Sequence, residues 1–398
     1  MPNAEIPFNI QKIAPTPFFA DRGCHVRILE EAKTLIELGN KVTICTYHNG
    51  RDVYLPNLKI RRIPSIPWYN KLEAGPSYHM LYLDALLLLE SLKSNVNGKP
   101  DIIHAHLHEG ALIGKVCAKI GSGIPMVFDV QGSLVEEMVS HRFIQKDSSV
   151  YKLIHIVEKN IDYMADAIVT SSTNMADILA NEFYADPQKI HVVKDGVDTN
   201  QFRPDIDAEY LRKDLKIPKD KKIIVYLGLL NEYQGIDYLL SAIPKVLKST
   251  DKAYFLIMGY PNVEYYRKIV ENMGMSKSVH FSGRIDYSIA NKYLALGDVA
   301  ISPKIPDAGE GNGKLYNYMA SGLPTVVFDH PTNREILGEF GIYAKLGSSD
   351  SLAECLIELL VDEALCETLG KKVRNKAVEE YSWLKVGEKL ISIYKYIS

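Results

Sequence analysis

Short apolar runs alternate with longer amphipathic stretches along most of the chain, and this rhythm limits the folds open to it. In the first half the runs with the length of a buried strand are 8–13, 42–46, 102–105, 126–130, 167–170 and 190–193. The clearest stretch between them, from His25 to Leu38, has helical spacing and ends at Gly39. Strands separated by helices predict a parallel sheet that is covered by helices.

The same alternation begins again after a turn-rich segment at 195–204. The later runs are 223–227, 255–258, 279–282, 299–302 and 325–328. A chain of 398 residues suits two domains, and we place them at 1–200 and 201–380. Each is predicted to be a doubly wound, Rossmann-like α/β domain. Because such sheets bind ligands at the carboxyl ends of their strands, we expect the two domains to face a central cleft.

Charge and cysteine content exclude some classes of protein. The net charge is −3 and no basic tail occurs, which argues against a nucleic-acid partner. Five scattered cysteines without paired spacing favour a reducing compartment. We find no charged-then-apolar leader and no run long enough to span a bilayer. We therefore expect a cytoplasmic protein that reaches a membrane, if at all, from its cytoplasmic surface.

The stretch 307–335 reads as loop, helix, strand and loop. Its helix opens at Gly311, Asn312, Gly313 and Lys314. Glycines at a helix start leave backbone N–H groups free for an anion, and Lys314 adds a full positive charge. The alternative is an ordinary solvated glycine loop before a core helix.

This stretch resembles the donor-binding region of retaining glycosyltransferases of the two-domain GT-B fold, family four (glycosyl transferases group 1). In that family two glutamates eight positions apart flank the loop and helix. Here Asn317 stands at the second position, and Glu310 stands one place after the first, which is Gly309. The resemblance implies that Glu310 contacts sugar hydroxyls in the catalytic site. Asn317 could bind ribose hydroxyls, because an amide both donates and accepts hydrogen bonds.

Other segments resemble the same family at their proper places, so that the resemblance covers nearly the whole chain. Gly23 lies in the segment that resembles the family's glycine loop over the donor phosphates, and His106 ends the strand that delivers its active-site histidine. Segment 193–198 resembles the interdomain turn. Segment 381–398 resembles the last helix, which implies that it crosses back to pack on the first domain.

One departure from the family concerns the donor diphosphate. After the strand that ends at Gly228, the family carries an arginine and a lysine, but the matching residues here are Leu229 and Gln234. Charge-assisted contacts are worth about 1.5–3 kcal/mol each, so the loss needs compensation. The residues that could compensate are Lys304, Lys314 and Arg284.

A metal site is considered because His104, His106 and His108, spaced two residues apart, are predicted to share one strand face. Three histidines could bind zinc, but we see no carboxylate placed near them in the sequence. We therefore expect no metal and no cofactor, with His104 structural and His106 in contact with the transferred sugar. As the family retains anomeric configuration, the departing phosphate itself can take the acceptor proton.

Acceptor-side contacts are expected from the ends of strands in the first domain. Asp129 and Gln131 follow a strand, and His141 and Arg142 come shortly after them. Trp68 lies in a predicted loop that begins with two arginines, and this loop could contact anionic lipid head groups. The alternative is a packed surface loop.

Together these features predict a retaining, metal-independent glycosyltransferase. It would move a hexose from a nucleotide-diphosphate sugar to a lipid-linked or glycan acceptor. Two alternatives remain, a sugar-nucleotide 2-epimerase on the same fold and a non-catalytic nucleotide-sugar-binding protein.

Overall fold

The computed structural model describes residues 7–72, 79–140, 143–146, 148–305 and 309–398. The chain forms two compact units. The first comprises Met1–Asp195, Asp307–Gly311 and Trp383–Ser398, and the second comprises Gly196–Pro306 and Asn312–Ser382. Among the described residues, no helix combines the length and the apolar character that a bilayer crossing requires.

The first unit is built on a seven-stranded parallel sheet in the order β3-β2-β1-β4-β5-β6-β7. Its strands are β1 (Asn9–Ala14), β2 (Lys41–Thr46), β3 (Leu58–Arg62), β4 (Ile102–His106), β5 (Met126–Val130), β6 (Ala167–Thr170) and β7 (Ile190–Val192). The register places Ile13 opposite Cys45 on one side and Ala105 on the other. β4 and β5 are buried along their whole length because helices cover both faces of a parallel sheet.

The helices of the first unit lie on both sides of this sheet. They are α1 (Gly23–Glu37), α2 (Met80–Gly98), α3 (Leu107–Ile120), α4 (Leu134–Ser140), α5 (Ser149–Asp162), α6 (Thr173–Asn181) and the C-terminal helix (Trp383–Ile397). Right-handed crossovers put α2, α3 and α5 on one side and α1 on the other. The C-terminal helix packs on α1 so closely that a Cβ on Gly387 would lie 2.3 Å from Thr34 Cγ2.

The second unit has a six-stranded parallel sheet in the order β10-β9-β8-β11-β12-β13. Its strands are β8 (Lys222–Leu227), β9 (Ala253–Met258), β10 (Val279–Gly283), β11 (Val299–Ser302), β12 (Thr325–Phe328) and β13 (Ile342–Ala344). Its helices are α7 (Glu209–Asp214), α8 (Ile236–Ser249), α9 (Val263–Asn272), α10 (Tyr287–Leu294), α11 (Lys314–Ala320), α12 (Pro331–Leu337), α13 (Ser349–Val361) and α14 (Glu363–Glu380). Short 3-10 helices occur at Pro187–Lys189, Glu232–Gln234 and Gly338–Phe340. Alternate residues of each strand, such as Ile224 and Val225, enter cores on opposite faces.

The predicted fold class, two parallel α/β domains, is confirmed. The prediction missed β3 and β13, and it wrongly placed Arg61 and Arg62 in a loop. They belong to the edge strand β3, which contains basic side chains and lacks the apolar run of a central strand. Residues 309–311, predicted within the second domain, are grouped with the first unit, and so is the C-terminal helix.

Candidate functional site

The ammonium group of Lys314 is the central feature of the second unit's candidate site. It lies at the start of α11, donates a hydrogen bond of 2.8 Å to Gln234 Oε1 and sits 4.8 Å from the centre of the Tyr226 ring. Within the described part of the chain, no carboxylate forms an ion pair with it. A cation whose protein partners are an amide and a ring is suited to meet an anionic ligand.

The surroundings of Lys314 disfavour its charge. Burial, together with repulsion by Lys304, lowers the pKa of Lys314 to about 7. Lys304 is itself buried, just past the end of β11. An anion bound between two such lysines would relieve their repulsion.

Close backbone packing brings these groups together. A Cβ on Gly228, the residue after β8, would lie 2.6 Å from Lys314 Nζ, so glycine leaves room for the ammonium group. Gly235 has a φ of +76°, and a Cβ there would lie 2.0 Å from the carbonyl oxygen of Pro303. The loop that carries Gln234 therefore packs directly against the segment that carries Lys304.

Two further predicted residues lie in this unit. Arg284 follows the end of β10, and its guanidinium carbon is 5.2 Å from the centre of the Tyr260 ring. Because β8, β10 and β11 are parallel, Arg284, Gly228 and Lys304 all lie at the carboxyl edge of one sheet. Asn317 is half-buried on α11, three residues after Lys314, and therefore on a neighbouring helical position.

Asn312, predicted as part of the donor-binding helix start, turns its side chain into the interior. It is buried, and its amide donates to Ser302 Oγ at 3.2 Å and to Asn333 Oδ1 at 3.0 Å. Asn333 in turn donates to the carbonyl of Phe328. The side chain of Asn312 thus anchors the loop before α11 from the inside, while Gly313 forms the residue directly before the helix.

The other end of the glycine loop belongs to the first unit. Ser172 Oγ donates to the carbonyl of Gly309 at 2.6 Å, and the N–H of Gly311 donates to Ser171 Oγ at 3.3 Å. Gly309 has a φ of +80°, and a Cβ there would lie 2.8 Å from the sulfur of Met175. A side chain at position 309 would therefore be strained, which explains why the acidic residue stands at the half-buried Glu310 instead.

The sequence suggested that His106 is exposed to a ligand at the end of its strand, but the structure buries it. It is fully buried, with Nδ1 2.9 Å from Asp129 Oδ2 and Nε2 3.2 Å from Lys12 Nζ. Burial, with the charge of Lys12, lowers the pKa of His106. The ring is therefore neutral, and Asp129 selects the tautomer with the proton on Nδ1.

Asp129 is held by Arg27 and does not face an acceptor, which corrects the sequence prediction. Arg27 Nε donates to Asp129 Oδ2 at 2.9 Å, and its Nη1 donates to Asp195 Oδ1 at 2.6 Å. Burial alone would raise the pKa of Asp129, but Arg27 and His106 hold it well below its usual range. Asp129 is thus an ionised, fully engaged group.

The expectation that no carboxylate lies near the histidines is wrong. Ligand atoms of Glu31, His104, His106 and Asp129 lie within 4.8 Å of one another. Protein cations already occupy this cluster, since Lys12 Nζ is 2.5 Å from Glu31 Oε2 and Arg27 binds Asp129. Lys12 and Arg27 balance the negative charges of Glu31 and Asp129, which a metal ion would otherwise do.

His108 is separate from this cluster. It belongs to α3 and not to the strand, and its Nε2 is 3.5 Å from Glu158 Oε1. His104 stays on β4, stacked on His106 with ring centres 4.6 Å apart, and its Nδ1 is 2.6 Å from the hydroxyl of Tyr394. The three histidines thus do not form the predicted single face.

Gly23 and Gln131 are two predicted site residues of the first unit that have few constraints from the fold. Gly23 begins α1, whose N-terminus has no side-chain cap, and a Cβ there would meet no atom within 4 Å. Gln131 follows β5, and its Nε2 is buried without a hydrogen-bond partner among the described residues. The fold does not itself require a glycine at position 23.

The loop around Trp68, predicted to contact the acceptor or a lipid head group, differs from that prediction in its two arginines. Trp68 is 79% exposed, but Arg61 pairs with Glu90, and Arg62 pairs with Asp52 while also binding backbone carbonyls. The two arginines are therefore committed to the fold. His141 and Arg142 lie outside the described residues.

Sequence reasoning missed four residues that complete these sites. Lys12, Arg27 and Glu31 surround His106, and Gln234 binds Lys314. A lysine inside an apolar strand was a readable signal at position 12. The (i, i+4) pair formed by Arg27 and Glu31 was another, but nothing local marked Gln234 as a partner of α11.

Comparison with known proteins agrees with this architecture. A phosphatidyl-myo-inositol mannosyltransferase of Mycobacterium leprae is 25% identical over 98% of this chain and 97% of its own. The sucrose-phosphate synthase of Thermosynechococcus elongatus superimposes with a TM-score of 0.82 at 19% identity over 98% of both chains. HepE of Anabaena, solved in complex with UDP-glucose, superimposes with a TM-score of 0.75 at 13% identity over 98% of this chain and 100% of its own.

Two family models match the chain. Residues 207–376 match the glycosyl transferases group 1 model, and residues 22–201 match the Glycosyltransferase Family 4 model. Each model lies almost entirely within one half of the chain, and between them they cover most of it. The protein therefore belongs to glycosyltransferase family four and is a glycosyltransferase.

Proposed function

We propose that this glycosyltransferase moves a hexose from a nucleotide-diphosphate sugar to a lipid-linked or saccharide acceptor, with retention of configuration and without a metal. The observation that carries the proposal is the ammonium of Lys314, held by the neutral Gln234 beside Lys304. This is an arrangement that a diphosphate would complete.

The donor site compensates for the uncharged Leu229 and Gln234 by placing a lysine from another element beside one of them. Lys314 reaches Gln234 from α11, and Lys304 and Arg284 add positive charge at the same sheet edge. The complex of HepE with UDP-glucose supports a nucleotide-sugar donor, because HepE shares the fold. Asn317 and Glu310 are assigned to ribose and sugar hydroxyls respectively.

The first unit contributes a second seat for negative charge at the start of α1. Its first backbone N–H groups have no side-chain cap, and no side chain at Gly23 blocks their approach. Because α1 has 15 residues, its dipole favours an anion at this end. We infer that this end of α1 can bind a phosphate group.

Chemistry at this site needs charge stabilisation more than proton transfer by the protein. Negative charge develops on the leaving phosphate, and the lysines stabilise it there. The acceptor attacks from the face that the phosphate leaves, and the phosphate takes the acceptor proton. His106 supports the site from its buried network with Asp129 and Lys12.

The acceptor is assigned by analogy and by one side chain. The mannosyltransferase of Mycobacterium leprae is named for a phosphatidyl-myo-inositol acceptor, which favours a lipid-linked acceptor here. The buried Nε2 of Gln131 supplies a hydrogen-bond donor for it. Of the other predicted contacts, Trp68 remains an exposed candidate.

The test is a thermal-shift screen of the purified chain against nucleotide sugars and free nucleotides, with and without EDTA. A ligand that binds the native state raises the melting temperature as it saturates the site. We expect one donor to give a shift that EDTA leaves unchanged and that Lys314→Ala abolishes. Lys219→Ala, at a highly exposed lysine of the second unit, is the matched control and should keep the shift.

Retention is tested separately with the donor that the screen identifies. NMR of the product should show the same anomeric configuration as the donor. An inverted product, or a shift that EDTA removes, would overturn the corresponding part of the proposal.

A further inference from the structure

Helix α5 of the first unit carries a group of exposed aliphatic side chains. Its outward side is apolar, since Leu153 is 60% exposed and Ile156 is 56% exposed, with Val150 and Val157 exposed beside them. Spacings of three and four residues put these side chains on one helical face. Four neighbouring aliphatic side chains facing water form a patch, which scattered single residues do not.

The inward side of α5 combines the core residue Ile161 with two buried carboxylates. Glu158 is fully buried and accepts hydrogen bonds from the N–H groups of Leu134 and Val135 at the start of α4. It also lies near His108 of α3. These buried carboxylates are therefore explained by contacts within the fold, whereas no contact among the described residues covers the exposed aliphatic side chains.

The acidic and basic side chains of α5 lie on different sides of the helix. Its two carboxylates, Glu158 and Asp162, are buried, and both charged groups on its outer side are lysines. Lys152 is exposed, and Lys159 lies 4.4 Å from the ring centre of Tyr184. The outer side thus presents aliphatic groups with a purely basic edge.

Tyrosines mark the end of this patch. Tyr163 directly follows α5 and is half exposed, and its hydroxyl donates to the backbone carbonyl of Tyr184 at 2.7 Å. Tyr184 is also exposed. Tyrosine rings with one apolar body and one polar tip favour the boundary between hydrocarbon and water.

The apolar patch continues onto the neighbouring helix α3. Leu112, Val116 and Ile120 are exposed at intervals of four residues, so that they form one stripe along α3. Lys119 is exposed beside this stripe. Helices α3 and α5 lie on the same side of the sheet and contact each other, so the stripe is on the helix next to the patch.

From these observations we propose that the outer face of α5, extended by the stripe on α3, docks onto an anionic phospholipid surface. Aliphatic side chains would enter the head-group boundary while the lysines meet lipid phosphates. A second copy of the chain is disfavoured, because a two-fold contact through this face would bring two basic edges together. The sequence suggested that Arg61 and Arg62 contact anionic lipid, but they pair with Glu90 and Asp52. In this proposal the lysines beside the α5 face supply the positive charge instead.

Vesicle flotation of the full chain tests the proposal, without donor or acceptor, so that it is independent of the transfer reaction. We expect binding to vesicles that contain phosphatidylglycerol and much weaker binding to phosphatidylcholine alone. The double variant Leu153→Gln, Ile156→Gln should lose binding roughly tenfold or more, since it removes the apolar contribution. Both side chains are exposed, so the fold should persist, and circular dichroism checks this.

Matched variants separate the two contributions. Val361→Gln with Leu346→Gln changes two exposed apolar side chains of the second unit and should leave binding unchanged. Lys152→Gln with Lys159→Gln should weaken binding severalfold to anionic vesicles only, as added salt should. Lys219→Gln with Lys371→Gln, at exposed lysines of the second unit, is the control for charge.

Several results would overturn the proposal. They are no binding of the unmodified chain, equal binding to neutral and anionic vesicles, or full binding by the variant at Leu153 and Ile156. Loss of binding by Trp68→Ala, with the α5 variant unaffected, would assign the contact to the loop around Trp68. A dimer in sedimentation velocity that the α5 variant dissociates would assign the face to a second copy.

Discussion

Lys314 and Gln234 are joined by a hydrogen bond of 2.8 Å between a helix start and a loop that lie 80 positions apart in the sequence. The amide accepts from the ammonium without neutralising it, so that the positive charge remains available for an anion. The charge that this glycosyltransferase lacks at position 234 is therefore supplied beside that position by α11.

The neutrality of Gln234 can be tested by giving it a charge. Gln234→Glu would place a carboxylate against Lys314, and the resulting ion pair would compete with the donor diphosphate. We expect donor affinity to fall by about tenfold or more, since a charge-assisted contact is worth about 1.5–3 kcal/mol. Calorimetry of donor binding measures this change. Gln188→Glu, at an exposed position of the first unit, should have no effect, and unchanged affinity of Gln234→Glu would contradict the role of Lys314.

Donor binding should depend on pH through Lys314. Its pKa is about 7 because of burial and Lys304, and a bound anion favours the protonated form. Affinity for an intact nucleotide sugar should therefore be highest below pH 7 and fall by up to about tenfold per pH unit above it. Lys314→Arg keeps the charge throughout this range and should flatten the profile. A flat profile in the unmodified chain would show that Lys314 does not meet the donor.

Arg27 is expected to be essential for the stability of the first unit. Arg27→Met would leave Asp129 buried without its guanidinium partner, which costs about 3–5 kcal/mol. Urea unfolding followed by tryptophan fluorescence measures this loss, because Trp68 and Trp383 both belong to the first unit. Arg267→Met breaks an exposed pair with Glu264 and should cost about 0–1 kcal/mol. A loss equally small for Arg27→Met would contradict the network around His106.

We expect the first unit to become less stable as the pH rises, because His108 loses its proton. Burial opposes its charge, but Glu158 and Asp162 raise the pKa of His108 to about 8. The pKa of a histidine in the unfolded chain is about 6.5. The contribution of His108 to the free energy of unfolding is therefore complete below about pH 6.5 and is lost as the pH passes 8. The change amounts to about 2 kcal/mol.

Urea midpoints at several pH values measure this effect. Asp162, whose pKa is raised to about 7 mainly by burial, acts in the same direction at lower pH. His108→Gln should remove the decline that His108 causes up to pH 8 and leave the part due to Asp162, whereas His79→Gln, at an exposed histidine, should keep both. A decline that is undiminished in His108→Gln would assign it to another group.

Lys12 should influence turnover through the buried network around His106. It is 3.2 Å from His106 Nε2 and 2.5 Å from Glu31. Lys12→Met removes the hydrogen bond to Nε2 and leaves Glu31 with Arg27 alone, so we expect an altered turnover number with little change in donor affinity. Kinetics and calorimetry on the same variant separate the two quantities. Equal losses in both would indicate a general disturbance of the fold.

The sequence alone determined the two parallel sheets and the start of α11. Apolar runs separated by helical periods are local signals, and they identified eleven of the strands close to their observed bounds. The two that escaped, β3 and β13, are the outermost strands of their sheets and have no long apolar run. A glycine loop followed by Lys314 also marked a candidate anion site, which stays a prediction.

Tertiary structure decided which side chains face a ligand and which support the fold. Asp129, Asn312 and His106 end or precede regular elements, and from sequence they resembled ligand contacts. Burial and long-range partners such as Arg27 commit them to the interior. Local periodicity predicts where a strand or helix lies, but a hydrogen bond between Lys314 and Gln234 depends on how two distant segments pack, and only the folded chain brings them within reach.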